Sequence, residues 1–346
     1  MDTSMSATIA ESLLEWYARH ARALPWRVAP GSGETPDPYR VWLSEVMLQQ
    51  TTTIAVGPYF GKFTERWPTV EALAAASDEE VMAAWAGLGY YTRARNLIAC
   101  AREVAAMGGF PPSEEALRKL PGLGAYTAAA VAAIGFGQRA VPVDANIERV
   151  VARLFAIDEP LPGARKEIRA RAEAITPDTR AGDFAQALMD LGAAVCTPRD
   201  PKCLLCPISA HCRGRRTGDP ARFPVKALKK AKPDRTGTAF WIEREGLVWL
   251  VRRPDKGMLG GMRALPDDGW SARSNGSEEA PIPGHWQAGG VVRHGFTHFN
   301  LALVVAVYAG AKFDTLSEGE WWPLEALDEA GLPTLYAKAA QLGMAR

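Results

Sequence analysis

Four cysteines fall within seventeen residues of this chain, spaced Cys196-x6-Cys203-x2-Cys206-x5-Cys212. Four soft thiolates at that density can wrap one metal centre. Zinc sites usually pair two CxxC-like knuckles, and only one is present. The spacing favours a cubane 4Fe-4S cluster, read here as a structural staple. Pro198, Arg199, Pro201 and Lys202 stand between the first two ligands, so the loop turns basic side chains outward. Disulfides are not expected of a reducing compartment. The fifth cysteine, Cys100, sits in a helical pattern and reads as a small buried hydrophobe.

Two acids ahead of that loop occupy opposite kinds of surroundings. Glu45 lies among Trp42, Val46, Met47 and Leu48, an apolar setting that favours its protonated form. Read blandly, it is a helix-surface acid. Asp144 stands at a helix start, where the dipole favours the anion; its bland reading is a plain N-cap. Between them, Pro121-Gly122-Leu123-Gly124 forms a tight turn, followed by the small-residue helix 125–136. Two glycines permit positive φ and leave no Cβ in the way. Turn amides running into a helix N-terminus are a ready anion site, and a nucleic-acid phosphate fits it. The alternative is an ordinary corner between two helices.

These groups need elements to hold them. Residues 7–22 read as an amphipathic helix, ended by Leu24-Pro25-Trp26-Arg27. A helix from Tyr39 carries Trp42, Glu45 and Leu48 and is expected to run on until just before Pro58. Further helices fit 57–66, 69–75, 78–85, 92–107, 113–119, 125–136, 145–156, 165–175 and 183–194, with almost no strand before 212. A linker is expected at 216–236, with Pro220, Pro224 and Pro233. Beyond it the pattern is strand: TAFWIER, a Glu245-Gly246 turn, LVWLVRR, then a second pair near 287–308. Helices at 323–330 and 334–342 complete a small α+β domain.

The length suggests two or three domains, and 47% apolar residues can bury real cores. The N-terminus resembles neither a signal nor a transit peptide, and no apolar run reaches membrane-span length. A soluble cytoplasmic, nucleoid-associated protein is expected. Net charge is +1, but residues 193–235 hold eleven Lys/Arg against three acids. A local basic face of this kind steers a polyanion to one side of the molecule; for 226–235 alone a solvated linker is the better reading.

In combination, the hairpin at 120–124, Asp144 and the four-cysteine loop resemble the endonuclease III superfamily of helix–hairpin–helix DNA glycosylases. LPWR at 24–27, VWLSEVMLQQT at 41–51, GLGYYTRARNL at 87–97 and Phe296-Thr297-His298 are similar to the adenine DNA glycosylases of the MutY type. The resemblance covers nearly the whole chain. It implies a mainly α N-terminal glycosylase fold, with a six-helix domain at 26–136 and a cluster domain made of 1–25 and 137–215. A Nudix-like α+β domain at 237–346 would follow.

The implied reaction extrudes adenine from double-stranded DNA and breaks its N-glycosidic bond through an oxocarbenium-like transition state, acting on A opposite 8-oxoguanine or G. Two carboxylates with different duties suit it. By resemblance, Glu45 protonates the leaving base, and Asp144 steadies or captures the sugar cation. Tyr126 lies over the sugar, and Asn146 hydrogen-bonds near Asp144. Arg27, Leu48 and Gln186 line the adenine pocket. Gln50 and Tyr90 resemble wedge residues beside the opposing 8-oxoguanine, Thr51 is a further DNA-binding position, and one of Tyr90 and Tyr91 is expected in the core. Gly122 and Gly124 hold the DNA backbone, and Phe296, Thr297 and His298 read 8-oxoguanine.

Lyase-competent relatives carry lysine where Tyr126 stands, so base removal without efficient strand cleavage is expected. Three departures stand out: Ala145 for a glycine, Thr297 for serine, and Arg263-Ala264 for Trp-Glu after the glycine turn near 257–262. No Nudix box is seen in 255–290, so pyrophosphate hydrolysis is not expected. The protein is expected to be a monomer. A related glycosylase acting on thymine or oxidised pyrimidines is the alternative.

Overall fold

The computed structural model describes residues 3–227, 231–254, 258–309, 316 and 318–345. Lys229 and Lys230 of the basic segment, and the start of the glycine turn at 257, lie outside them. The chain divides into two compact units, Met1–Leu228 and Lys229–Arg346.

The first unit is helical: α1 Thr3–His20, α2 Pro38–Leu48, α3 Thr53–Arg66, α4 Val70–Ala75, α5 Asp78–Trp85, α6 Thr92–Ala106, α7 Glu114–Leu117, α8 Ala125–Ala130, α9 Ala145–Phe155, α10 Arg165–Ile175, α11 Ala181–Ala194 and α12 Arg213–Arg216. Helix α2 starts where Asp37 caps the Tyr39 amide and Pro38 supplies a preset φ. It ends at Leu48, ten residues before the expected break at Pro58. The break falls at Gln50, whose φ is +61, and α3 restarts with Thr52 capping Ala55. Pro58 is carried inside α3, one turn after Ile54. Ile54 is 88% exposed, so the carbonyl that Pro58 cannot bond lies on the solvent side.

Helix α8 passes into a π-helical stretch, Val131–Gly135. A side chain at Gly135 would sit 3.1 Å from Pro38 Cα, so this small-residue run lets α2 approach closely. Two apolar cores form. One gathers Trp26 to Ala140, including Trp42, Phe60, Phe63 and Trp85. The other joins Ile9, Leu13 and Tyr17 of α1 to residues 141–223. Tyr126 packs against both, which puts it on the seam between them. The expected linker at 216–236 starts too early. Phe223 is fully buried, and Arg153 donates to its carbonyl, so the chain stays on the first unit to at least that point.

Among its described residues the second unit holds two sheets. Strands β1 Asp234–Trp241, β5 Trp286–Gly295 and β6 Asn300–Tyr308 form one, ordered β1-β6-β5. The other contains β2 Glu243–Arg244, β3 Leu247–Arg252, β4 Arg263–Ala264 and β7 Glu320–Pro323. Of the two strand runs on either side of Glu245-Gly246, only β2 and β3 pair across the turn, while β1 runs parallel to β6. The expected helix at 323–330 is a 3-10 stretch, Leu324–Ala330, and α13 Thr334–Met344 follows. No helix among the described residues is long and apolar enough to cross a membrane.

Candidate active site

On the seam between the two helical cores lies a cavity of about 760 Å³, within the range of about 300–1,000 Å³ usual for small-molecule sites. Glu45 reaches it from α2. Asp144 enters from the start of α9, and Tyr126 from α8. Arg27, Leu48, Gln50, Thr51, Gly122, Gly124, Asn146 and Gln186 line it too. Eleven of the expected site positions thus meet around one space.

Glu45 is 7% exposed. Burial holds its carboxyl at about 7 instead of the ordinary 4.5. The Tyr126 hydroxyl and the Arg27 charge pull the value down, while Asp144 pushes it up. Tyr126 donates its hydroxyl to Glu45 Oε2 at 2.7 Å. Burial first, then the nearby Glu45 and Asp144 charges, raise that phenol well above 10, so it stays a neutral donor.

Asp144 is the N-cap of α9. Its Oδ1 accepts from the Ile147 amide at 2.7 Å, and its Oδ2 from Asn146 Nδ2 at 2.8 Å. Both contacts suit an anion at a helix start. The bland reading as an N-cap is therefore true, and compatible with a second duty. Ala145 is the first residue of α9 and has no positive φ, so the position does not require glycine.

In the hairpin, Gly122 has φ +75, and a Cβ there would lie 2.7 Å from Asn96 Cβ. Gly124 differs from expectation. Its φ is −79, and a Cβ would meet nothing within 4 Å. It leaves open space in front of the α8 amides; it does not relieve backbone strain.

A family profile described as HhH-GPD superfamily base excision DNA repair protein matches residues 43–177, and a NUDIX domain profile matches 238–342. Adenine DNA glycosylase of Homo sapiens is 34% identical over 377 residues, covering 90% of this chain and 69% of the relative. The chain belongs to the adenine DNA glycosylase family. The adenine DNA glycosylase of Mycolicibacterium smegmatis is 44% identical over 221 residues, covering 63% of this chain and 73% of that one. A solved structure of a thermostable thymine-DNA glycosylase aligns with a TM-score of 0.56 at 32% identity, covering 62% of this chain and 98% of that one. The enzyme is thus a base-excision DNA repair hydrolase acting on N-glycosyl compounds, with a Nudix-like second unit.

In this adenine DNA glycosylase chain, Tyr90 does not line the cavity. It stands 62% exposed with φ +52, while Tyr91 packs against the first core. Phe296, Thr297 and His298 form the turn between β5 and β6 in the second unit. Phe296 stacks on Phe299 at 4.7 Å and is half-buried, and Thr297 and His298 are exposed.

The four cysteines line one small cavity, shared with Arg153, Lys202 and Arg215. All four are free and half-buried. The Arg215 amide donates to Cys212 Sγ at 3.4 Å, and Arg153 Nη1 to Cys196 Sγ at 3.3 Å, contacts that favour electron-rich sulfur. Burial pushes the Cys206 thiol up to about 12 and raises Cys212. Among the described residues, no three Cys, His, Asp or Glu side chains converge as a single-ion site.

Sequence reasoning missed two residues beside the site. Asp190, fully buried on α11, accepts Arg27 Nη1 at 2.7 Å and Arg22 Nε at 2.6 Å, fixing Arg27 at the cavity wall. Arg149 ties Asn146 Oδ1, at 2.8 Å, to the carbonyls of Gly192 and Cys196. A lone acid in the apolar run FAQALMDLG, one helical turn past Gln186, was the available signal for the first. The second had none.

Proposed function

We propose that the enzyme removes adenine from duplex DNA where it stands opposite 8-oxoguanine or guanine, by hydrolysis and without cutting the strand. One observation carries this reading: a buried carboxyl held at about 7 shares a cavity with a carboxylate that accepts two N–H donors. Glu45 then gives its proton to the departing base. Asp144, whose oxygens accept two N–H donors, stands beside the sugar as positive charge develops, steadying the cation or capturing it until water adds at the sugar carbon. Tyr126 donates its hydroxyl to Glu45 Oε2, which leaves the acid's own proton to Oε1, and it offers no amine for a Schiff base, which supports a monofunctional reaction. Asn146 orients Asp144. Arg27, Leu48 and Gln186 face the extruded adenine.

Gly122 and Gly124 leave room for a phosphate at the α8 amides. Gln50 and Tyr90 fill the space vacated in the stack, Thr51 contacts the DNA beside them, and Phe296, Thr297 and His298 contact the lesion. Cys196, Cys203, Cys206 and Cys212 would hold a 4Fe-4S cluster; their shared cavity and N–H···S contacts fit it. Held there, it would serve as a structural staple for the basic loop. The two apolar cores of the first unit support its division into a six-helix domain, 26–136, and a cluster domain, 1–25 with 137–215. The enzyme works as a monomer on DNA in the cytoplasm.

The test is an excision panel. Duplexes with A opposite 8-oxoguanine, G, C and T, and with thymine or an oxidised pyrimidine as target, are incubated with the protein. They are then analysed with and without alkali. Adenine-strand breaks only after alkali, greatest opposite 8-oxoguanine, are expected. Breaks without alkali would remove the monofunctional assignment, and cleavage at thymine would support the alternative target.

A further inference from the structure

One costly group in the first unit has no part in the chemistry above. Arg93, in the first turn of α6, is 9% exposed, and no carboxylate pairs with it among the described residues. Burial lowers the proton affinity of its guanidinium. A cation is not kept in such a place without compensation.

The compensation comes from two chain segments. Nη1 donates to the carbonyls of Val46 at 3.1 Å and Met47 at 2.9 Å, in the last turn of α2, where a cation suits the helix dipole. Nη2 donates to Thr51 Oγ1 at 3.3 Å and to the carbonyls of Leu88 at 3.3 Å and Gly89 at 3.4 Å. The guanidinium also lies 5.3 Å from the Trp85 and Tyr90 ring centroids. A planar fork can bridge this many acceptors on two sides; a lysine ammonium, with three donors on one atom, cannot.

Each segment carries a residue in a backbone conformation that side chains disfavour: Gln50 at φ +61 and Tyr90 at φ +52. Neither has the glycine that would make the turn easy. Something must hold them there, and Arg93 contacts the chain on both sides. The Thr51 hydroxyl extends the brace, donating to the Gln49 carbonyl while it accepts from Arg93.

We propose that Arg93 is a positioning residue that locks the Gln50 and Tyr90 segments to each other before DNA arrives, so that the stack can be filled on base extrusion without reordering either loop. This rests on the wedge roles proposed for Gln50 and Tyr90. The experiment keeps the two ideas separable.

Full-length holoenzyme is prepared as wild type, Arg93→Lys, and the double variant Gln50→Ala/Tyr90→Ala. Fluorescence of 2-aminopurine placed next to the target adenine, in a duplex with 8-oxoguanine opposite, reports unstacking. Single-turnover excision and hydrogen exchange of the amides at 49–52 and 87–91 are measured in parallel. Arg93→Lys is expected to lose at least half the fluorescence amplitude and about tenfold in excision. Exchange should rise at least tenfold in both segments together, with the duplex still bound. Loss in the double variant but wild-type amplitude in Arg93→Lys would overturn the proposal while leaving the wedge reading intact. Wild-type amplitude in the double variant would remove the wedge reading and this proposal with it. If Arg93→Lys does not fold, Thr51→Val serves. Faster exchange at 49–52 is expected there, and unchanged exchange would overturn the brace.

Discussion

Replacing Glu45 by glutamine should make the enzyme slower and more stable at once. Glutamine fills the same space and still accepts the Tyr126 hydroxyl, now at 2.7 Å from Glu45 Oε2. It has no proton to give. Loss of a positioned general acid costs about 10²–10⁴ in rate, or roughly 3–5 kcal/mol of barrier. Stability moves the other way. The carboxyl titrates at 4.5 ordinarily and at about 7 in the fold. Between those values the folded state holds a proton that the unfolded state has released, so stability falls as pH rises from about 4.5 to about 7. Above that the full penalty is present. At roughly 1.4 kcal/mol per tenfold change in proton affinity it amounts to on the order of 3 kcal/mol. Relaxation around the charged group offsets part of it, so about 1–3 kcal/mol is expected, or roughly 3–10 °C in Tm at pH 8. Glutamine is free of this penalty. Single-turnover adenine release and thermal melts at pH 5 and pH 8 test both halves. Wild-type rates in the variant, or a lower Tm at both pH values, would refute the reasoning.

The wild-type excision rate should fall as pH rises through about 7, where Glu45 loses its proton; a flat profile from pH 6 to 9 would exclude it as the acid. Asp144→Asn should cut single-turnover excision by at least about a hundredfold while duplex binding persists. Gel-shift and excision measured on one preparation separate the two effects. Gly122→Ala must accept φ +75 and a Cβ 2.7 Å from Asn96. A stability loss of about 1–2 kcal/mol is expected, with weaker DNA binding, readable by denaturant titration and salt-dependent affinity. Cys206→Ser should abolish iron content and lower Tm; full iron loading in that variant would dismiss it as a ligand.

What could be read from the sequence was what local pattern encodes. The hairpin, the Asp144 cap and the four-cysteine spacing each sit within a few residues of chain. The Glu45 environment was legible because Trp42, Val46 and Met47 flank it directly. The break after α2 was misplaced because Pro58 is the louder signal. The true break falls where Gln50 adopts φ +61, between Met47 and Thr51, both of which bond Arg93, a residue more than forty positions away. The pairing of β1 with β6 likewise joins residues more than sixty apart, and period-two alternation cannot say which strand is the neighbour. Asp190 offers the sequence only the signal of a lone acid in an apolar run, because its partners, Arg22 and Arg27, stand at the other end of the unit's sequence.

Helix α1 shares its core with residues from 141 onward, so one half of the catalytic unit is discontinuous. During synthesis the helices around Trp42 can close first, carrying Glu45. The apolar face of α1, with Ile9, Leu13 and Tyr17, must wait about 120 residues for cover, on the order of ten seconds of translation. Until α9 and α11 emerge, the nascent chain exposes a greasy helix and holds a proton donor with no anion opposite it. A ribosome stalled in that interval would leave a folded but inert half-enzyme, with a surface that invites chaperones.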